Sequence, residues 1–169
     1  MKLGIIGHGR HGKDEVAERL AKATGLRYFA GTSVYAADRV YAYLREWYEW
    51  AFKYPNATVC WLHRHEHRRE WAHAIDCINR NDPVQLYRDC LTHQDLLTGI
   101  RWRHEFDAIR AAGLVDAWIW VERPGFPLDP TCELTRDDAQ YKVNNSGTLE
   151  QLDLLVQELA RMLPHEVPA

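Results

Sequence analysis

Long apolar runs are missing from this sequence. No stretch approaches the roughly 18 residues that a membrane-crossing helix needs. Met1-Lys2-Leu3-Gly4-Ile5-Ile6 meets a glycine before the apolar core of a secretory signal could develop. The expected location is therefore cytoplasmic, with no membrane partner. Cysteine is sparse: Cys60, Cys77, Cys90 and Cys132 are widely spaced and form no CxxC pair, so free buried thiols are expected rather than a disulfide framework. An excess of one charge is also absent. Lys and Arg total 21 against 24 Asp and Glu, a net charge of -3, which excludes a global basic field steering the chain onto nucleic acid but leaves room for local basic patches. Repeats, linkers and low-complexity segments are lacking too, and 169 residues suit one domain with one compact core. Lysine itself is scarce, since most of the positive charge is arginine, the side chain whose planar fork matches phosphate oxygens.

What is present is an alternation of short apolar runs and amphipathic stretches. Lys2–Ile6 reads as a strand, and Lys13–Thr24 as a helix with Val16, Ala17, Leu20 and Ala21 at helical spacing and Gly25 as its C-cap. Leu26–Ala30 reads as a second strand. A helix opened by Thr32 or Ser33 runs through Ala36, Val40 and Leu44 toward Phe52, and Pro55-Asn56 ends it. Leu62–Asn81 reads as one helix with a strongly polar face, followed by an Asn81-Asp82-Pro83 turn and a helix over Val84–Thr92. Asp95–Arg101 is a third strand running into a loop, and Glu105–Ala112 a helix ended by Gly113. Ala117–Val121 is a strand apolar enough to be covered on both faces, closed by Arg123–Pro127. Tyr141–Asn145 and the helix from Leu149 to Leu159 complete the order. Strands alternating with helices predict an α/β fold in three layers, a parallel sheet with helices on both faces.

Between the first strand and first helix stands Gly7-His8-Gly9-Arg10-His11-Gly12-Lys13-Asp14, which fits G-x-x-x-x-G-K in the context a phosphate loop requires. Glycines let backbone N–H groups turn toward phosphate oxygens, the helix N-terminus adds partial positive charge, and Lys13 reaches the β and γ phosphates. ATP is the expected nucleotide. A Ser or Thr usually follows the lysine and holds Mg²⁺. This chain has Asp14 there, an anionic oxygen equally able to bind the ion or its water shell; an Asp in a first helical turn is also stabilising in any protein.

The loop followed by Glu15-Val16-Ala17 resembles the GKD-type phosphate loop of bacteriophage deoxynucleoside monophosphate kinases and related phage P-loop kinases. Gly99-Ile100-Arg101, Trp118-Ile119-Trp120-Val121 and Asn144-Asn145-Ser146-Gly147-Thr148-Leu149 follow that family's order over nearly the whole chain, although only the loop is specific by itself. The resemblance implies a single P-loop kinase domain with a helical acceptor side at about residues 32–92 and a lid at about 123–140. It implies that the residues of Gly7–Asp14 and Asn145 hold ATP·Mg²⁺. In such kinases a carboxylate commonly ends the third strand and helps position Mg²⁺. Thr98 stands there in this chain, so Asp14 is the candidate metal-binding anion.

Arg101 lies beyond a strand's carboxyl end, where open α/β sheets bind ligands. By similarity it would hold the acceptor's phosphate; an ion pair with Glu105 is the alternative. Thr32, Ser33 and Arg39 follow the second strand, where this fold places acceptor contacts, although capping explains Thr32 and Ser33 as well. Asp38 beside them is a candidate base. Arg123 and Arg136 flank the lid position, where an arginine would offset charge on the transferred phosphoryl group; solvated surface positions are the alternative.

His63, Arg64, His65, His67, Arg68 and Arg69 form a basic cluster between Trp61 and Trp71. Zinc is disfavoured, because no HExxH and no third ligand at a suitable spacing accompany His63 and His67. A nucleic-acid surface with stacking tryptophans and a polar helix face laced by Glu66 and Glu70 both remain open. The resemblance implies phosphoryl transfer to a deoxynucleoside monophosphate. Phage relatives that phosphorylate 5-hydroxymethyl-deoxyuridine within DNA offer a second acceptor, and a nucleotide-binding switch without an acceptor is the alternative from another class.

Overall fold

The computed structural model describes residues 1–163. Its centre is a parallel sheet of β1 (Leu3–Ile6), β2 (Leu96–Thr98), β3 (Ala117–Glu122) and β4 (Tyr141–Asn144) in the order β2-β1-β3-β4. Leu3 pairs with both Leu96 and Ala117, and Ile119 with Tyr141, so β1 is central and is hydrogen-bonded on both edges. The period-2 alternation of the strands divides the core in two. Leu3, Ile5, Ala117, Ile119 and Val121 pack against α1 (Lys13–Thr24) and α8 (Leu149–Met162). Ile6, Leu97, Trp118 and Trp120 point to the opposite face, covered by α2 (Thr32–Tyr35), α3 (Ala37–Trp47), α4 (Ala57–Leu62), α5 (Arg68–Ile78), α6 (Gln85–His93) and α7 (Arg103–Ala111). This is the expected three-layer α/β arrangement. No helix among the described residues is long and apolar enough to cross a membrane.

Gly4 on β1 makes the wide face fit. A Cβ there would stand 2.2 Å from the Trp118 ring, so the missing side chain is what lets the buried indole lie against the central strand. Other helix ends follow local rules. Gly25 takes the left-handed conformation at φ 77° and caps α1, and Thr148 and Gln151 form a reciprocal capping pair at the start of α8.

Three sequence expectations require correction. Leu26–Ala30 is not a strand. A single backbone bond, from the Asp95 N–H to the Arg27 carbonyl, starts no ladder, and side chains take the neighbouring groups: Gln94 accepts from the Phe29 and Ala30 N–H groups and donates to the Ala30 carbonyl, while Asp95 accepts from the Arg27 N–H at 2.8 Å. These side chains occupy the backbone groups a ladder with β2 would need. The expected helix from Thr32 toward Phe52 is divided at Ala36 and ends at Tyr48, after which a 3₁₀ turn over Glu49–Lys53 brings Ala51 and Tyr54 into the core. The expected helix over Leu62–Asn81 is broken between α4 and α5 by a 3₁₀ turn at Arg64–Glu66. His67 stacks on Trp50 with ring centroids 3.5 Å apart, and His63 meets Glu66 at 2.9 Å. The two histidines therefore do not share a helix face. Among the described residues no group of three or more His, Cys, Asp or Glu stands ready for a metal.

Candidate active site

The turn between β1 and α1 has the geometry of an anion cradle. Gly7 at φ 144° and Gly12 at φ 88° adopt conformations that L side chains rarely enter. Added Cβ atoms would also collide, at Gly7 with the Val121 carbonyl oxygen at 2.2 Å and at Gly12 with the Asn145 amide nitrogen at 2.1 Å. Arg10 at the turn's tip is exposed and takes φ 67° without being glycine. No side chain caps α1, so the N–H groups of its first turn remain for an anion beside the loop.

The loop is braced from behind. Asn145, just past β4, donates to the His11 carbonyl at 3.0 Å. Buried His11 accepts the Arg123 N–H on Nδ1 at 3.1 Å, and burial lowers its pKa, favouring the neutral ring that this acceptor role needs. His8 accepts the Asp129 N–H on Nδ1 at 3.2 Å and meets Trp120 edge-on. Both loop histidines thus fasten the segment after β3 to the cradle.

Lys13 folds back over the loop, donating to the Gly7 carbonyl at 2.8 Å and the His8 carbonyl at 2.7 Å. Burial, reinforced by the charge of Arg101, lowers its pKa to about 8. Asp14 Oδ1 accepts from the Tyr28 hydroxyl at 2.7 Å and from the Thr98 hydroxyl at 2.8 Å. Thr98 ends β2, the position where a carboxylate was expected and absent. The fold brings Asp14 to it. One carboxylate flanked by two hydroxyls is an all-oxygen donor set, suited to a Mg²⁺ ion that takes its remaining ligands from phosphates and water.

A cleft of about 1000 Å³ opens from this point toward α5 and α7, lined by Lys13, Asp14, Ser33, Thr98 and Arg101 and by Arg64, Arg68 and Arg69. Beside the break at Arg64–Glu66, Arg64 and Arg68 are half-buried at the cleft wall, while His63, His65 and Arg69 stay exposed. Ser33 accepts from the Trp61 indole N–H at 3.1 Å, and the Arg64 guanidinium lies 4.1 Å over that indole while donating to the Trp61 carbonyl. Such a cation–π contact contributes about 1 kcal/mol and holds the charge in place. Burial lowers the Arg64 pKa, with Arg101 and Arg68 adding to the effect.

The other expected residues divide. Arg101 lines the cleft, but its partner is Asp129 at 2.7 Å and not Glu105; buried Glu105 accepts the Trp102 N–H instead, and burial raises its pKa. Thr32 lines the cleft with its hydroxyl committed to the Thr98 carbonyl at 2.6 Å, and it caps no helix. Ser33 braces Trp61 rather than capping. Arg39 and Asp38 lie outside the cleft, Arg39 paired with Asp89 on α6 at 3.1 Å and Asp38 exposed. Arg136 pairs with Glu122. Arg123 stacks on Phe126 at 4.2 Å. Within the expected lid, Leu134 and Ala139 are buried and Asp138 is gripped by Arg103, so the second half is anchored to the core, while the first half exposes the large apolar side chains Phe126 and Leu128.

Sequence reasoning missed Tyr28, Asp129 and the Ser33–Trp61–Arg64 chain. Asp129-Pro130-Thr131 carries the one usable signal, an Asx turn in which Thr131 donates back to Asp129.

No protein-family model and no curated protein sequence matches the chain. Among solved structures, an unliganded sugar kinase from Janibacter sp. HTCC2649 is similar over 93% of this chain and 92% of that chain, with 14% identity and a TM-score of 0.47.

Proposed function

We propose that the chain is a P-loop phosphotransferase that binds ATP·Mg²⁺ at Gly7–Asp14 and passes the γ-phosphoryl group to a deoxynucleotide held in the adjoining cleft. The observation that carries this reading is the cradle itself: glycines at 7 and 12 that no other residue could replace, an uncapped helix N-terminus and Lys13, opening directly onto an arginine-lined cleft. An acceptor-independent nucleotide switch would have no need of that cleft.

Mg²⁺, when bound, neutralises charge on the β and γ phosphates. The remaining work falls to the chain's own residues. First-turn amides and Lys13 hold the phosphates, and Lys13 must exchange its bonds to the Gly7 and His8 carbonyls for phosphate oxygens. Asp14, oriented by Thr98 and Tyr28, is the residue that would hold the metal or its water shell. Arg64 draws an anionic acceptor toward the loop, and Arg101 and Arg68, held beside Gly9 through Asp129, meet the phosphoryl group in transfer and offset charge developing in the transition state. A monophosphate acceptor is ionised at neutral pH and needs no base, so the remoteness of Asp38 from the cleft fits a deoxynucleoside monophosphate.

One observation favours a polymer acceptor, a hydroxymethylated base in DNA. Arg64, His65, Arg68 and Arg69 together line the cleft, with Trp61 supporting Arg64, more positive charge than one monophosphate needs and suited to a phosphate backbone. Incubation with labelled ATP against a panel of deoxynucleoside monophosphates and hydroxymethyluracil-containing DNA tests the proposal. Label should appear on one acceptor class; ATP hydrolysis indifferent to every acceptor would reject it.

A further inference from the structure

Asp129 stands at the mouth of the phosphate cradle with its charge committed. The residue is 8% exposed. Its Oδ2 accepts from Arg101 at 2.7 Å and from Arg68 at 3.2 Å, while Oδ1 takes the Thr131 hydroxyl at 2.6 Å and the Thr131 N–H at 3.0 Å. A Cβ built on Gly9 would lie 2.4 Å from that same Oδ2, so the carboxylate rests against the tip of the glycine-rich turn. Burial alone would raise its pKa, but the Thr131 hydrogen bonds and the two guanidinium charges outweigh burial and hold it at about 2. It is thus ionised at neutral pH and unsuited to accept a proton as a base.

A carboxylate and a phosphoryl group offer an arginine the same planar pair of oxygens. Two such anions cannot share Arg68 and Arg101 beside the loop, because like charges at contact distance repel strongly in a partly desolvated site. The segment that carries Asp129 is tethered to the cradle by the Arg123 N–H on His11 and the Asp129 N–H on His8, and between these two tethers it is exposed. Gly125 at φ 87° begins an exposed stretch in which Phe126 is 40% and Leu128 71% exposed. Beyond Thr131 the chain is anchored by buried Leu134.

We propose that Asp129 is an internal anion that occupies the phosphate site in the empty protein, holding Arg68 and Arg101, and that an entering polyphosphate displaces it and takes over both arginines. The inference rests on the phosphate-loop reading above and extends it to how access to that site is controlled. Charge exchange of this kind favours ligands with several phosphate oxygens over monoanions, since only they offer enough negative charge to compete with a preformed pair of ion contacts.

The test is calorimetric binding of inorganic tripolyphosphate to the full chain: parent, Asp129→Asn, Asp129→Ala, and Asp129→Asn combined with Arg68→Gln. Asp129→Asn keeps the shape and the Thr131 contacts but removes the competing charge, so affinity should rise about tenfold or more, and adding Arg68→Gln should cancel most of the gain. Unchanged or weakened binding in both folded Asp129 variants would overturn the proposal while leaving the phosphate loop standing. Absence of tripolyphosphate binding in every variant would overturn the phosphate-loop reading and this inference with it. Should the variants fail to fold, a crystal structure of the parent with bound ATP decides the matter: Asp129 Oδ2 moved away from Arg101 supports displacement, and a retained contact refutes it.

Discussion

The carboxylate of Asp14 and the hydroxyl of Thr98 are joined at 2.8 Å, tying the first turn of α1 to the end of β2. A carboxylate is thereby brought to the strand end from the neighbouring helix, with Tyr28 as a second donor to the same oxygen, and under the proposed function it is the anion that would position Mg²⁺. Asp14→Asn removes the charge with little change of shape, so the Mg²⁺ concentration needed for half-maximal turnover should rise by about tenfold, while metal-free ATP binding changes little. A titration of activity against Mg²⁺ checks it. An unchanged requirement would leave Asp14 with a helix-terminus role alone.

Lys13 offers a proton-linkage signature. Its pKa in the empty protein is lowered to about 8, chiefly by burial, and phosphates placed against the ammonium would raise it again. At pH 8.5 much of Lys13 is neutral before binding and protonated after it, so ATP binding should take up protons. Calorimetry in two buffers of different ionisation enthalpy measures that uptake. The effect should fade below pH 7, where Lys13 is charged in both states, and vanish in Lys13→Met at every pH.

Gly4→Ala probes the packing that positions the site. The new methyl would meet the Trp118 ring at 2.2 Å on a buried face, and neither the rigid indole nor the central strand can retreat cheaply. Overpacking of this kind costs about 1–3 kcal/mol, which for a chain of this size lowers Tm by about 3–10 °C. A thermal melt followed by circular dichroism reads it. A melting temperature within a degree of the parent would show that Trp118 repacks freely.

The two acceptors separate on the arginines of the cleft. If the acceptor is a base within DNA, replacing Arg64, Arg68 and Arg69 with Gln should abolish the steep salt dependence of DNA binding and weaken it by at least about tenfold at low salt, because fewer counterions are released on contact. Turnover of a free deoxynucleoside monophosphate should then fall less than turnover on DNA. Equal losses on both would place the three arginines around a mononucleotide phosphate.

The glycine-rich turn between β1 and α1 was legible because its demands are local. Gly7 and Gly12 are dictated by the positive φ of a turn within a few residues, and the continuous apolar runs of β1 and β3 are equally short in range. What escaped is what depends on distant side chains. Leu26–Ala30 has the alternation of a strand, yet its backbone partners are Gln94 and the aspartate beside it, far along the chain. The break between α4 and α5 contains no glycine or proline; the stacking of His67 on Trp50 and of Arg64 on Trp61 accompanies it, and those contacts exist only in the folded protein. Arg39 follows Thr32 and Ser33 closely in sequence but points toward Asp89 on α6, a direction that periodicity alone does not give.

The central claim, that Gly7–Asp14 is a phosphate loop serving transfer to an acceptor, meets its most direct test in Lys13→Ala. Alanine is well tolerated where α1 begins, so circular dichroism and melting temperature should remain those of the parent. Transfer of label from ATP to the deoxynucleotide should fall by at least about a thousandfold, as expected when a charge that supports phosphoryl transfer is removed. A folded Lys13→Ala protein that transfers label at the parent's rate would contradict the account.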